Sequence, residues 1–449
     1  MMVLKSNSKI ISGMMHPFGQ TEHSRITDTG AYIGKTSIYR TPVFLDNGLF
    51  INPHILVAGT SGSGKTFFLK SLLARSFGNT AENVLIIDWN GEYDELITYL
   101  GGSIYKLGKD SFVNAFELFP DKKKSALHIT ELISKKSSMD ANERAELYSI
   151  LLDQKDNANL DRVSKSLEGE NRRLWTKLLE FLSAPIFSAE TSFRIADIFS
   201  GAVSINLAYL ANDGQREFIA NAIIGLVVEH MHSSRPSIKC LSFVVLDEAW
   251  KLLSDSKELM QLFREGRKYG IGAVLATQLL TDIRKELLAN SACIFVFRLQ
   301  SEDDANVLAE LNIIPSDSKD RLLDLELGSC YVRAAAKDKS DSCTAFISKV
   351  DGVSTRVYAI KVNNMQIVVT RDKLIREIEK LGLNIQERSR INMLVDSADR
   401  CFNLQGFISI LFELGKDRIE IIKCLKGLGM DDISIIKALQ ASSAQVEIA

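Results

Sequence analysis

The sequence predicts an α/β fold with a mainly parallel sheet, and three observations predict it. A glycine-rich turn joins an apolar strand to a helix at residues 55–66. Apolar strands and helical stretches then alternate, and two of the strands end in carboxylates, at Asp88 and at Asp247-Glu248. Strands apolar on both faces belong to sheets covered on both sides, which crossover helices supply. Around this core, at 55–120 and 183–335, the sequence places a small barrel-like β unit over 1–54 and a helical insertion over 121–182. Peripheral strands over 336–371 and a helical module over 372–449 follow.

Bulk properties narrow the field. With 449 residues, 46% hydrophobic and 24% charged, the chain can bury a large core as a soluble globular protein of two or three units. The most apolar stretch, 219–228, is broken by Asn221 and Gly225 and falls short of the ~18 residues that span a bilayer. No cleavable apolar core follows Met1, so a cytoplasmic protein is expected, with its first dozen residues loose. Six scattered cysteines with no Cys-x-x-Cys pair argue against zinc and disulfides. A formal net charge of -2 means that any nucleic-acid contact comes from local patches.

The short β-leaning pieces at 31–33, 41–45 and 49–51 carry a hairpin signal at Asp46-Asn47-Gly48. Then comes the phosphate loop. Gly59, Thr60, Ser61, Gly62, Ser63, Gly64, Lys65 and Thr66 fill the G-x-x-x-x-G-K-[ST] pattern, and Phe67 opens the helix over 67–77. Glycines let backbone N–H groups close around phosphate oxygens. Lys65 brings a point charge for the β- and γ-phosphates, and Thr66 a hydroxyl for Mg²⁺. The alternative, an ordinary glycine turn, needs neither the lysine nor the threonine. ATP and Mg²⁺ are the expected ligands.

The strand at 84–87 delivers Asp88-Trp89-Asn90-Gly91-Glu92-Tyr93, placing Asp88 and Glu92 at the edge where such sheets keep their sites. The insertion carries Lys122-Lys123-Lys124 and Arg172-Arg173, either a solvated face or a DNA contact. After a strand at 202–207 and a helix at 214–232, the strand at 241–246 ends in Asp247-Glu248-Ala249-Trp250. This is the Walker B pattern, with Asp247 for Mg²⁺ and Glu248 to polarise the attacking water; a helix-capping pair is the alternative. The helix at 257–269 holds Arg264 and Arg267, and the strand at 272–276 ends in Thr277-Gln278, whose amide can sense the γ-phosphate or position water. A strand at 292–297 exits into Arg298. Each of the three arginines can be a plain surface charge, or the one that a ring ATPase needs from its neighbour, with Arg267 preferred and Arg264 second. Helices at 408–414, 419–428 and 432–439 form a winged-helix-like or docking module, or a packing appendage.

The phosphate loop followed by Asp88-x-x-Gly91-Glu92-Tyr93, Asp247-Glu248-Ala249, Arg264-x-Gly266-Arg267-Lys268-x-Gly270 and Thr277-Gln278 closely resembles the HerA/FtsK superfamily of ring-forming DNA-pumping ATPases, over about residues 30–335. Its HerA branch and the VirB-type conjugation ATPases look nearest, and Pro42-Val43-Phe44-Leu45-Asp46 resembles the end of the barrel that precedes the HerA ATPase. The resemblance implies a RecA-like core in a homo-hexamer, ATP between subunits and double-stranded DNA in the channel. It also implies Glu248 as catalytic, Asp247 with the metal, Gln278 as sensor and Arg267 or Arg264 acting in trans. Aspartate first in the acidic pair, and Trp250 after Ala249, lean toward the conjugation ATPases. The large N-terminal domain usual there is not expected here.

The leading expectation is therefore an ATP-driven motor on double-stranded DNA, with a nuclease or a membrane channel as partner. The alternatives are a motor for protein or pilus export and a nucleotide-dependent scaffold.

Overall fold

The computed structural model describes residues 31–439 apart from 38–41, 46–49, 78–82, 118, 120, 154–162, 166, 169–170, 183–190, 234–236, 249–255, 316–317, 338–342, 351–356, 363–364, 385–386, 389–390, 392–403, 431–433 and 437. The chain divides into two compact units, 1–352 and 353–449.

Eleven strands form one sheet in the first unit. They are β1 (Ala31–Thr36), β2 (Pro42–Leu45), β3 (Ile55–Ala58), β4 (Asn83–Asp88), β5 (Ser103–Lys106), β6 (Ala202–Asn206), β7 (Ser237–Leu246), β8 (Tyr269–Thr277), β9 (Cys293–Val296), β10 (Cys330–Ala334) and β11 (Cys343–Val350), in spatial order 2-1-11-10-9-3-8-7-4-6-5. From β9 to β5 every pairing is parallel. From β9 outward through β10, β11, β1 and β2 every pairing is antiparallel. In the parallel half Val84 to Ile87, Ile55 to Ala58 and Ala273 to Ala276 are all buried, which is why these segments read as unbroken apolar runs.

Two expectations meet a different arrangement. Within the segment expected as a barrel-like unit, β1 and β2 extend the core sheet through the pairing of β1 with β11. Of the strands expected as peripheral over 336–371, β11 is integral to the same sheet, because the edge of β9 accepts β10 and β10 accepts β11. The Asp46-Asn47-Gly48 turn and residues 1–30 lie outside the described residues.

Helices cover both faces. They are α1 (Lys65–Ser76), α2 (Asp94–Tyr99), α3 (Lys122–Lys136), α4 (Ala141–Asp153), α5 (Arg172–Leu182), α6 (Asp213–Ser233), α7 (Lys257–Glu265), α8 (Lys285–Ala289), α9 (Glu302–Glu310) and α10 (Lys319–Leu323). Asp121 caps α3, accepting from the Lys123 N–H. The insertion shares the core of the sheet face, since Ala126, Ile129 and Ile133 of α3 join Ile219, Ile223 and Leu226 of α6 in one apolar cluster. Several of its charges are engaged. Lys124 pairs with Glu229 at 2.6 Å, Lys136 with Glu217, and Arg173 with Glu143 at 2.8 Å. Where Lys124 and Arg173 sit, the basic clusters therefore tie helices together.

The second unit holds a β12–β13 hairpin (Val357–Val362, Met365–Thr370) and helices α11 (Arg371–Glu379), α12 (Leu404–Glu413) and α13 (Arg418–Gly427). Leu374, Phe407, Ile408, Ile421 and Leu425 form its core. The sequence 415–427 recurs at 429–441, with Gly, Asp, Ile, Ile-Ile-Lys and Leu at matching places. The first copy opens on a full capping box between Asp417 and Glu420.

Candidate nucleotide site

The C-terminal ends of β3, β8, β7 and β4 meet at one edge, in register with Ala58 beside Thr277 and Ile87 beside Leu246. The loop after β3 is stitched down there. Gly59 N–H donates to the Thr277 carbonyl at 3.2 Å, Thr60 N–H to the Arg298 carbonyl at 2.9 Å, and Gly328 N–H to the Ser63 carbonyl at 3.2 Å. Gly59 must be glycine, because a Cβ would lie 2.7 Å from the Phe297 Cβ. Gly64, at φ 107°, ends the loop and starts α1 without a side-chain cap, so the first-turn N–H groups are left for an anion.

Lys65 is buried, and its ammonium donates to the carbonyls of Gly59 at 2.6 Å and Thr60 at 2.9 Å. Burial lowers its pKa, opposed by the charges of Asp247, Glu248 and Glu92. Thr66 Oγ1 donates to Asp247 Oδ2 at 3.1 Å, across 181 residues of chain. Glu248 adopts φ 64°, a left-handed conformation that costs a non-glycine residue roughly 1–3 kcal/mol. That twist aims its carboxylate at β8, where Gln278 Nε2 donates to Oε1 at 2.6 Å. Ser61, Gly62 and Phe67 are exposed, Phe67 by 54%.

A hydroxyl and a carboxylate meeting at the start of α1 suit Mg²⁺, a hard cation that takes few protein oxygens and keeps the rest for water and phosphate. Among the described residues no cluster of three or more His, Cys, Asp or Glu could form a fuller cage.

Three sequence-predicted residues are placed elsewhere. Asp88 is buried, and its carboxylate accepts the N–H groups of Gly91 at 2.9 Å, Glu92 at 3.1 Å and Tyr93 at 3.0 Å. It holds that turn and does not face the loop, because a buried carboxylate takes whichever donors surround it. Arg264 and Arg267 are exposed on α7 and the short helical turn Gly266–Lys268, just before β8 begins. Eight strand residues at 3.3 Å each put that end about 26 Å from Thr277 and the loop of the same subunit. Sequence reasoning missed Tyr93 as a contact of the site. Its buried hydroxyl donates to Asp247 Oδ2 at 2.7 Å, and the only signal was its place closing the Asp-x-x-Gly-Glu-Tyr turn.

Two domain families match the first unit. Residues 31–217 match the central domain of helicase HerA, and residues 218–340 match an AAA-like domain. The chain is 29% identical over 283 residues to the DNA import protein CedB of Sulfolobus acidocaldarius, covering 59% of this chain and 46% of that protein. It is 24% identical over 321 residues to the DNA double-strand break repair helicase HerA of Sulfurisphaera tokodaii, covering 62% of each. It thus spans about half to three-fifths of the length of these curated relatives. Among solved structures, VirB4 of Thermoanaerobacter pseudethanolicus superposes with a TM-score of 0.60 at 17% identity, over 74% of this chain and 98% of that one. The plasmid coupling protein TrwB with ADP and Mg²⁺ does so at 0.53 and 15%, over 74% and 92%. These likenesses show a RecA-like P-loop fold. The phosphate loop, the acidic pair and the glutamine stand on adjoining strand ends, and the two domain matches run in order along the first unit, as the resemblance to the HerA/FtsK superfamily implies.

Proposed function

We propose that the chain hydrolyses ATP with Mg²⁺ and uses the energy to move along double-stranded DNA as a homo-hexamer. The observation that carries the ATPase part is the meeting of Lys65, Thr66, Asp247, Glu248 and Gln278 at one sheet edge. Lys65 exchanges its loop carbonyls for phosphate oxygens, and the first-turn N–H groups of α1 complete the cradle. Thr66 and Asp247 would hold Mg²⁺, which when bound would supply positive charge beside the phosphates. Glu248 accepts the proton of the attacking water, and Gln278 links that carboxylate to β8. Arg267, or Arg264, acts on the next subunit's nucleotide, since both lie at the far end of their own sheet.

The names of the relatives supply the substrate class, pairing this core with DNA import and with double-strand break repair. A transfer channel or a nuclease is the matching partner. No helix among the described residues is long and apolar enough to cross a membrane.

The test is the ATPase rate with and without long duplex DNA at low salt. Stimulation supports the reading. An unchanged rate, with firm binding to a membrane channel, would favour export of a polypeptide.

A further inference from the structure

We propose that Tyr93 is a positioning residue for the metal-binding carboxylate Asp247, an inference that rests on the nucleotide-site reading above. The Tyr93 side chain is fully buried, and its hydroxyl donates to Asp247 Oδ2 at 2.7 Å. The same oxygen accepts Thr66 Oγ1 at 3.1 Å, and Oδ1 accepts the Glu248 N–H at 3.0 Å. Three donors from three directions leave the carboxylate one orientation. Thr66 is itself a candidate metal ligand and turns to the ion when Mg²⁺ is bound, whereas Tyr93 has no such second task. It is the side-chain donor that can stay on Asp247 in both states.

Tyr93 and its neighbour Asp94 are in turn held from four elements. Its N–H donates to Asp88 Oδ2 at 3.0 Å, at the end of β4. The next residue, Asp94, accepts Asn206 Nδ2 of β6 at 3.1 Å and pairs with Lys106 of β5 at 2.8 Å. Lys70 of α1 lies over the Tyr93 ring, 5.6 Å from its centroid. A gap-filling aromatic needs none of these polar ties. A residue that sets the direction of a carboxylate needs its own backbone and ring fixed, because groups that orient metal ligands act only through a defined geometry.

Tyr93→Phe keeps the ring and removes the donor. The readout is binding of a fluorescent ADP analogue by the full chain, titrated with Mg²⁺ and repeated in EDTA, with the melting temperature recorded alongside. The Mg²⁺ concentration at half-saturation is expected to rise about tenfold, the low end for loss of a residue that supports a metal ligand. Binding in EDTA stays at the parent's level. In an Asp247→Asn background the same change adds no further shift, since Tyr93 acts through that carboxylate. A Mg²⁺ curve within twofold of the parent overturns the proposal. So does equal loss of binding with and without Mg²⁺, which would make Tyr93 a packing residue. If the parent itself shows no Mg²⁺-dependent binding, the nucleotide-site reading fails and the proposal falls with it.

Discussion

The side chains of Gln278 and Glu248 meet at 2.6 Å across the neighbouring strands β8 and β7, so the carboxylate that would activate water is tied to the strand ending beside the phosphate loop. Glu248→Gln is expected to lower ATP turnover by about 10²–10⁴-fold while nucleotide binding persists, since only proton acceptance is lost. Gln278→Ala frees the carboxylate and lowers turnover less. Steady-state ATPase assays paired with ADP-analogue binding check both, and a Glu248→Gln protein that hydrolyses at the parent rate would point to a scaffold.

Lys65 and Arg267 sit at opposite ends of one sheet, which predicts a complementation pattern. Lys65→Ala and Arg267→Ala are each expected to be inactive alone. Mixed before assembly, the two proteins regain part of the activity, because some interfaces then join an intact phosphate loop to an intact arginine. An inactive mixture of correctly assembled rings would remove Arg267 from the trans role and leave Arg264 to be tested in the same way.

Asp88 predicts a pH dependence of stability. Burial lifts its carboxyl from 3.8 to about 6, against the pull of the N–H groups of Tyr93, Glu92 and Gly91, with nearby Asp94 adding to the rise. The folded state then binds the proton more tightly than the unfolded chain. This residue's contribution therefore falls as pH rises from about 4 to about 6, by on the order of 3 kcal/mol in total. Urea unfolding at pH 4 and pH 7 should show a smaller difference for Asp88→Asn than for the parent. Equal differences would show that the carboxylate titrates in its ordinary range.

Gly272 lies in the middle of β8, where a Cβ would come 2.7 Å from the Pro53 carbonyl oxygen and 2.7 Å from the Phe243 ring. The backbone on one side cannot yield as a side-chain tip does. Gly272→Ala is expected to destabilise the first unit by about 1–3 kcal/mol, read as a lower urea midpoint at unchanged slope.

Much of the site was legible in the sequence because its parts are local. The phosphate loop needs its glycines, lysine and threonine within eight consecutive residues, and Asp247-Glu248 follow directly from the apolar strand that presents them. The same locality misled at Asp88, because a strand-end carboxylate looks alike whether it faces a ligand or the N–H groups of its own turn. The edge strands show the other limit. Pairing of β1 with β11 joins Gly34 to Val350, and no periodicity within either segment names the partner.

By itself the sequence determined the parallel core, the phosphate loop and the acidic pair, since backbone geometry and burial pattern are set by near neighbours. Only the tertiary structure decided that Tyr93 holds Asp247 across 154 residues, that Glu248 turns to Gln278, and that the arginines of α7 and its following turn stand at the opposite end of β8 from the phosphate loop. Those relationships depend on which strands adjoin and in what register, and that choice is made by the packing of the whole sheet.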